Sequence, residues 1–554
     1  MIKDEELAKK YREKTDDNFD TVSGIPVKAV YTPDDVAHID YEKDIGLPGE
    51  FPFTRGHHPQ MYRGKLWNIR EISGLSTPKA FNKRCHYLLN IGQGALNWEI
   101  DGPTMYGIEP DQSYAEGQLG VTGVTLHTLK DVEVLSEGLP LEQLSLSCDA
   151  FYPDVWQSYI LTAKKRGCDI SKLRGVGGGI FYYGPSVLPS KMDWLWANKR
   201  FSSCGRWSND FMEYALKNMP KWNVWYTSSY DFREAGGNAI HEIAFTLAIR
   251  DEIIREMQRR GIDADTTARQ LSPVIASDRD FFEEIAKMRA GRRVWAKTLK
   301  EKFGTTDPKA MQMRFHIDVS GYNFTRQQPL VNIARGTLGS LAAVLGGCLG
   351  IQNPSYDEGW ATPTEEAVMV AIRSQQVIRY ESGVTKVADP LAGSHYVEWL
   401  TSELEKQILD MYYKIEEMGG WIKALTSGWV IDQLSESLLD MQRKVENGER
   451  AVVGVNCYTI PPEEDFQPEV YAPDRSDVEE YLKEYQDYKK NRNIPKLKRI
   501  LEDLRHAAEE TEDDLVPYVF EALEAEATYP EIIGMLRMAD GMEYDWAGER
   551  EYPF

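Results

Sequence analysis

Residues 311–358 read MQMRFHIDVSGYNFTRQQPLVNIARGTLGSLAAVLGGCLGIQNPSYDE, and this stretch decides the fold. Met311–Val319 is rich in apolar and β-branched residues and predicts a strand that runs into a polar turn at His316–Gly321. Asn332–Leu345 spaces its apolar residues as a helix does, and Gly346-Gly347 supplies the stop. Gly347–Ile351 predicts a second strand, again followed by polar residues, Gln352–Glu358. Strand, helix, strand is a βα unit, and such units build parallel sheets.

The same texture extends outward over residues 66–400. Further strands are predicted at Gln143–Ser147, Val224–Ser228 and Val384–Ala388, with helices at Gly237–Arg250 and Phe281–Leu299 between them. Polar residues follow several of these strands, as at Tyr226–Asp231 and Asp389–Ser394. Polar groups just past strand ends are where a (β/α)8 barrel builds its active site, so a TIM barrel is the expected fold and a doubly wound sheet its rival. Residues 1–50, with scattered turn formers, read as an extended N-terminal arm, and 51–400 as the barrel. Residues 401–554 read as a helical extension: Leu404, Ile408, Met411 and Ile415 keep helical spacing, and Gly419-Gly420 ends that run.

A chain of 554 residues has room for several domains, or for one large barrel with appendages. Its 64 Lys+Arg against 87 Asp+Glu leave a formal charge of −23, concentrated towards the C-terminus, which excludes nucleic acid or an anionic membrane surface as the main partner. There is no transmembrane run, and the charged opening MIKDEELAKKYREK lacks the apolar core of a secretory signal. The six cysteines form no CxxC pair, so neither a disulfide framework nor a metal site is expected. These features describe a cytoplasmic enzyme.

Four constellations carry possible chemistry. RGVGGGI (174–180) lacks the lysine and spaced glycine of a nucleotide fingerprint, and it reads instead as backbone that permits close approach or a wide cavity. EIAKMRAGRR (284–293) reads as a solvated helical face or an ion-pair network, and near a barrel mouth it could also receive phosphates. YTSSYDFREAG (226–236) sets Asp231, Arg233 and Glu234 after a strand. In RFHIDVSG (314–321), Arg314, His316 and Asp318 share one strand face, which would aim them into a barrel mouth.

Together with MYRGKLWNIREISGLST (61–77), NIARGTLGSLAAVLGG (332–347), SYDEGWATPT (355–364) and RSQQVIRYESGVTKVADPLAGS (373–394), these blocks resemble the substrate-binding large subunit of the adenosylcobalamin-dependent acyl-CoA mutases, the methylmalonyl-CoA mutase family. The resemblance implies a barrel that threads the acyl-CoA along its axis. The Asp-x-His-x-x-Gly motif of the family's cobalamin domain does not occur here. The implied form is therefore the split one, in which a small cobalamin-binding subunit completes a heterotetramer of two large and two small chains. The implied reaction is cobalt–carbon homolysis, hydrogen abstraction and migration of the carbonyl-CoA group.

Carried over residue by residue, His316 matches the family's corrinoid-facing histidine, and Glu358 matches the acid that contacts the adenosyl ribose. Asp318, on the face of His316, falls beside them. Arg70 matches the arginine of the IR-x-(Y)-x-G block. The family's substrate-stacking tyrosine is Ile72 here, and its thioester-region glutamine is Gly178. The histidine that hydrogen-bonds the thioester carbonyl is Asp231, next to Tyr230. A small residue at the pocket floor is Glu99, two positions after Asn97, and the carboxylate-gripping arginine has no counterpart. Loss of two large side chains implies a bulky acyl group, and the expected substrate is an aryl-substituted dicarboxylic acyl-CoA of the arylsuccinyl-CoA/benzylmalonyl-CoA type, with Arg233 holding its carboxylate. The alternatives are a 2-hydroxyacyl- or branched-chain acyl-CoA mutase, since the 2-hydroxyisobutyryl-CoA mutases share the isoleucine, then methylmalonyl-CoA itself, and last a non-catalytic acyl-CoA-binding subunit.

Overall fold

The computed structural model describes residues 19–177, 202–224, 228–545 and 547–554. Among them are eight strands: β1 Asn68–Ile69, β2 Leu96–Trp98, β3 Ser145–Cys148, β4 Arg174–Val176, β5 Trp222–Asn223, β6 Val274–Ser277, β7 His316–Val319 and β8 Gly350–Gln352. They form two four-stranded sheets, ordered β2-β3-β4-β5 and β1-β8-β7-β6. Every pairing within these sheets is parallel. Two further parallel bridges link the sheets, Ile72 with Asn97 and Ser228 with Val274.

One main helix follows each strand: α1 Pro78–Asn90, α2 Leu129–Leu135, α3 Asp154–Lys165, α4 Ser203–Asn218, α5 Ala239–Arg259, α6 Phe281–Phe303, α7 Asn332–Gly346 and α8 Glu365–Tyr380. The fold is thus mixed α/β with parallel sheets. A strand buried on both faces must be apolar or small throughout, and the VIAS of β6 is buried at all four positions. Gly347 caps α7 at φ 86°, a left-handed conformation that L side chains avoid, and so turns the chain into β8.

Three sequence expectations change. Met311–Val319 is not one strand: Pro308–Met311 is a helical turn whose N-terminus Asp307 caps, and only His316–Val319 pairs. His316 therefore opens β7 instead of ending it. Val384–Lys386 is a short 3-10 turn, because Gly383 precedes it at φ 79° and Arg289 pins Asp389 beyond it. Of the readings of the EIAKMRAGRR helix, the ion-pair network holds and the solvated face does not. Arg289, Arg292 and Arg293 are buried, and Arg292 donates to the carbonyls of Phe53, Thr54 and Gly346. Lys287 lies between Glu242 and Glu284. Buried cations persist only when paired in this way.

From α9, His395–Glu417, onward the named elements are helical. The acidic C-terminal helices dock on α3 and α4. Gln157 Nε2 donates to Val516 O at 3.0 Å, and Arg206 Nη1 to Thr511 O at 2.7 Å. Arg492 meets Glu531 through two hydrogen bonds, at 2.6 and 2.8 Å. No helix among the described residues is long and apolar enough to cross a membrane.

Candidate active site

A cavity of about 700 Å³ opens where β1, β2, β3, β5 and β8 end. Its wall gathers Ile72 after β1, Glu99 after β2, Asp149 after β3, Tyr230 and Asp231 after β5, and Gln352, Asn353 and Glu358 at and beyond β8. Trp360, Thr362, Pro363 and Tyr471 close its outer side. Close backbone approach shapes the floor. A Cβ on Gly74 would lie 1.7 Å from the Glu99 carbonyl oxygen, so only glycine lets the end of β1 reach that of β2.

Acids dominate this wall, and no Lys, Arg or His lines it among the described residues. Glu99 stands beside Asp149 on this wall; burial first, then the neighbouring carboxyls, hold it well above the usual carboxylate range. Asp231 is an exposed residue that lines the cavity, and desolvation first, then Asp149, holds its carboxyl above the usual range. Ser228 Oγ donates to Asp231 Oδ1 at 3.0 Å. Burial likewise pushes Glu358 up to about 7, reinforced by Asp357 and Glu234. Glu71 rises to about 8 through burial, although Asn353 N and Gln375 Nε2 donate to it at 2.9 and 2.8 Å.

Below the cavity lies a polar layer that ties Arg70, Asn97 and Asp318 together. Arg70 Nη1 donates to Ser147 Oγ at 2.8 Å, and Nη2 to Asp318 Oδ1 at 2.9 Å. Ser147 Oγ donates to Asn97 Oδ1 at 2.6 Å. Burial lifts Asp318 to about 6 against the pull of Arg70. These residues support the floor and do not line the cavity.

Two expected site residues stand elsewhere. His316 opens β7 opposite Val274, and three steps of extended chain place it ~10 Å from Val319 at the strand's far end. Its ring is buried and driven down to about 3 by burial, then by Arg70, Arg314 and Lys65, so it is a neutral imidazole at the base of the sheet. Arg233 is held among carboxylates: Nη2 donates to Asp278 at 2.7 Å and to Glu284 at 2.9 Å, and Glu242 lies 4.0 Å from Nε. It borders a separate cleft of about 260 Å³ and is absent from the acidic cavity. A buried cation among these carboxylates is unavailable to grip another. Gly178 lies outside the described residues. The preceding glycines serve packing. A Cβ on Gly175 would strike the ring of Trp222, and one on Gly177 the ring of Trp156.

Sequence reasoning missed Asp149 and Glu71. The signal for Asp149 was present as a repeat, since Trp98-Glu99 and Cys148-Asp149 each set an acid directly after a strand.

The family model described as methylmalonyl-CoA mutase matches residues 20–542. The 2-hydroxyisobutanoyl-CoA mutase large subunit of Aquincola tertiaricarbonis is 36% identical over 544 residues, covering 97% of this chain and 93% of that one. Methylmalonyl-CoA mutase of Rhizobium meliloti is 33% identical over 536 residues, covering 94% and 72%. The human mitochondrial methylmalonyl-CoA mutase is 33% identical over 534 residues, covering 94% and 68%. With parallel βα units from Asn68 to Tyr380 inside that match and a cavity at the strand ends, the chain belongs to the methylmalonyl-CoA mutase family and is an isomerase of the acyl-CoA mutase type.

Proposed function

We propose that this chain is the large subunit of a 2-hydroxyacyl-CoA mutase, which moves the carbonyl-CoA group between adjacent carbons of a small hydroxyl-bearing acyl chain. The carrying observation is the wall of carboxyls, Glu99, Asp149 and Asp231, with no cation among the described lining residues. A second carboxylate on the substrate would lose its hydration among like charges there. A hydroxyl instead donates to a carboxyl oxygen. Ile72 and the relative named as a 2-hydroxyisobutanoyl-CoA mutase large subunit support the same reading. The aryl dicarboxylic expectation gives way, because its carboxylate anchor, Arg233, is already engaged.

In this reading residues 51–400 close as a (β/α)8 barrel, with an arm at 1–50 and a helical extension at 401–554. The bridges at Ile72–Asn97 and Ser228–Val274 favour closure, since each joins one edge of one sheet to an edge of the other. A small subunit would bring adenosylcobalamin, and two of each chain would assemble. Glu358 fits a place beside that cofactor: Gly321, past β7, leaves a niche bounded by the Tyr230 hydroxyl, Glu234 and Glu358. His316, at the far end of β7, does not fit, and Asp318 is occupied by Arg70. When bound, the group supplies radical chemistry. This chain's residues do the rest: Glu99 and Asp231 orient the polar end of the acyl group, Ile72 packs its apolar side, and Trp360 and Tyr471 exclude water.

The test is turnover with the small subunit and adenosylcobalamin supplied. 2-Hydroxyisobutyryl-CoA is expected to exceed methylmalonyl-CoA and phenylsuccinyl-CoA in kcat/KM by about 10²-fold or more. Preference for either dicarboxylic thioester would sink the proposal.

A further inference from the structure

Glu99 and Asp149 hold equivalent places on neighbouring strands. β2 and β3 pair in parallel with Asn97 opposite Ser147 and Trp98 opposite Cys148, so the next residue of each chain is an acid beside an acid. Alternate residues share a face, which stacks Glu99 over Asn97 and Asp149 over Ser147. One layer down, the register partners hydrogen-bond, Ser147 Oγ to Asn97 Oδ1. One layer up, the register sets the two carboxyls side by side on the cavity wall, and Asp149 Oδ1 is buried with no hydrogen-bond partner among the described residues.

A buried carboxyl oxygen beside a second carboxyl finds a donor there only if one of the two carries a proton. The surrounding groups leave that proton in place. Facing the pair are Asp231 from the end of β5, Asp318 from β7, and Glu71, Tyr230 and Glu358 on the cavity wall. Arg70, in the layer below, donates to Asp318 and Ser147.

We propose that Asp149 is a positioning residue for the acyl group: it shares a proton with Glu99, and the pair presents free oxygens that accept a substrate hydroxyl while turning away a carboxylate. The choice of substrate rests on the 2-hydroxyacyl reading; the shared proton does not. Glu99 touches the acyl group, and Asp149 acts by keeping it neutral and fixed in direction. Removing the like charge beside Glu99 makes its proton easier to lose.

Two readouts test this. In the complete enzyme with the small subunit and adenosylcobalamin, Asp149→Asn is expected to lower kcat/KM for 2-hydroxyisobutyryl-CoA about tenfold or more. It is also expected to move the alkaline limb of the pH profile down by about one pH unit, the coupling that defines interacting carboxyls. In the substrate-free enzyme, infrared difference spectra should show the carbonyl stretch of a protonated carboxyl that Glu99→Gln removes. In Asp149→Asn that band should titrate away at lower pH than in the wild type. An infrared band that is unaffected by Glu99→Gln, or a titration unmoved in Asp149→Asn, overturns the pair whatever the substrate. A wild-type enzyme that turns over only dicarboxylic thioesters, with the infrared pattern intact, overturns the substrate reading and leaves the shared proton standing.

Discussion

Replacing Arg70 with methionine is expected to destabilise the protein by about 3–5 kcal/mol at neutral pH, the usual cost of leaving a buried charge without its partner. Arg70 and Asp318 are 2% and 1% exposed, and their ion pair at 2.9 Å sits beneath the cavity. Methionine fills much of the space but donates nothing, so Asp318, Ser147 and the Asn97 beyond it lose the group that organises them. Asp318 can relieve part of the penalty by taking up a proton. Its carboxyl already sits at about 6 beside Arg70, and without that cation it would rise further. The sign follows. In the variant the folded state binds this proton more tightly than the unfolded chain does, so stability falls as pH rises from the ordinary Asp value through the raised one. Denaturation midpoints should therefore separate more at pH 7.5 than at pH 5. A double variant, Arg70→Met with Asp318→Leu, should recover most of the loss, because an apolar pair of similar volume replaces a buried ion pair at little cost. Equal midpoints for wild type and Arg70→Met would show that the pair does not organise the floor.

The second large effect concerns Glu99. Glu99→Leu is expected to lower kcat/KM for a 2-hydroxyacyl-CoA by about 10²-fold, because leaving the substrate hydroxyl desolvated and without its partner costs about 1–3 kcal/mol. Isobutyryl-CoA, which has no hydroxyl, should lose far less or gain. The ratio of the two rates thus separates a lost contact from a damaged fold. A uniform fall for both thioesters would mean that Glu99 shapes the floor without reading the substrate. Leucine is close in size, and the backbone contact between Gly74 and the Glu99 carbonyl stays in place.

Much of the fold was legible because its signals are local. The βα alternation around β7, α7 and β8 follows from short apolar runs, a helical stretch and a glycine stop within one segment. Val384–Ala388 misled for the same reason. Its β-branched residues favour a strand, whereas the outcome depends on Gly383 and on Asp389 meeting Arg289, a hundred residues away. The site divides along that line. Ile72, Glu99, Tyr230, Asp231 and Glu358, each placed just past a strand, do converge on one cavity. Arg233 was misassigned because its partners, Asp278 and Glu284, are 45 and 51 residues distant and invisible to local reading. Asp149 was missed because its meaning depends on register: only the pairing of Trp98 with Cys148 sets it beside Glu99. His316 was read as the end of a strand when it is the beginning, and direction along a strand decides which end of the sheet a side chain serves.

A carboxyl-lined floor that reads a hydroxyl on the acyl group should be visible in a crystal structure of this chain with 2-hydroxyisobutyryl-CoA bound. The substrate hydroxyl is expected at hydrogen-bonding distance, about 2.6–3.0 Å, from an oxygen of Glu99 or Asp149, with a methyl group against Ile72. A hydroxyl turned away from both carboxyls, with the acyl chain held by apolar contacts alone, would contradict it.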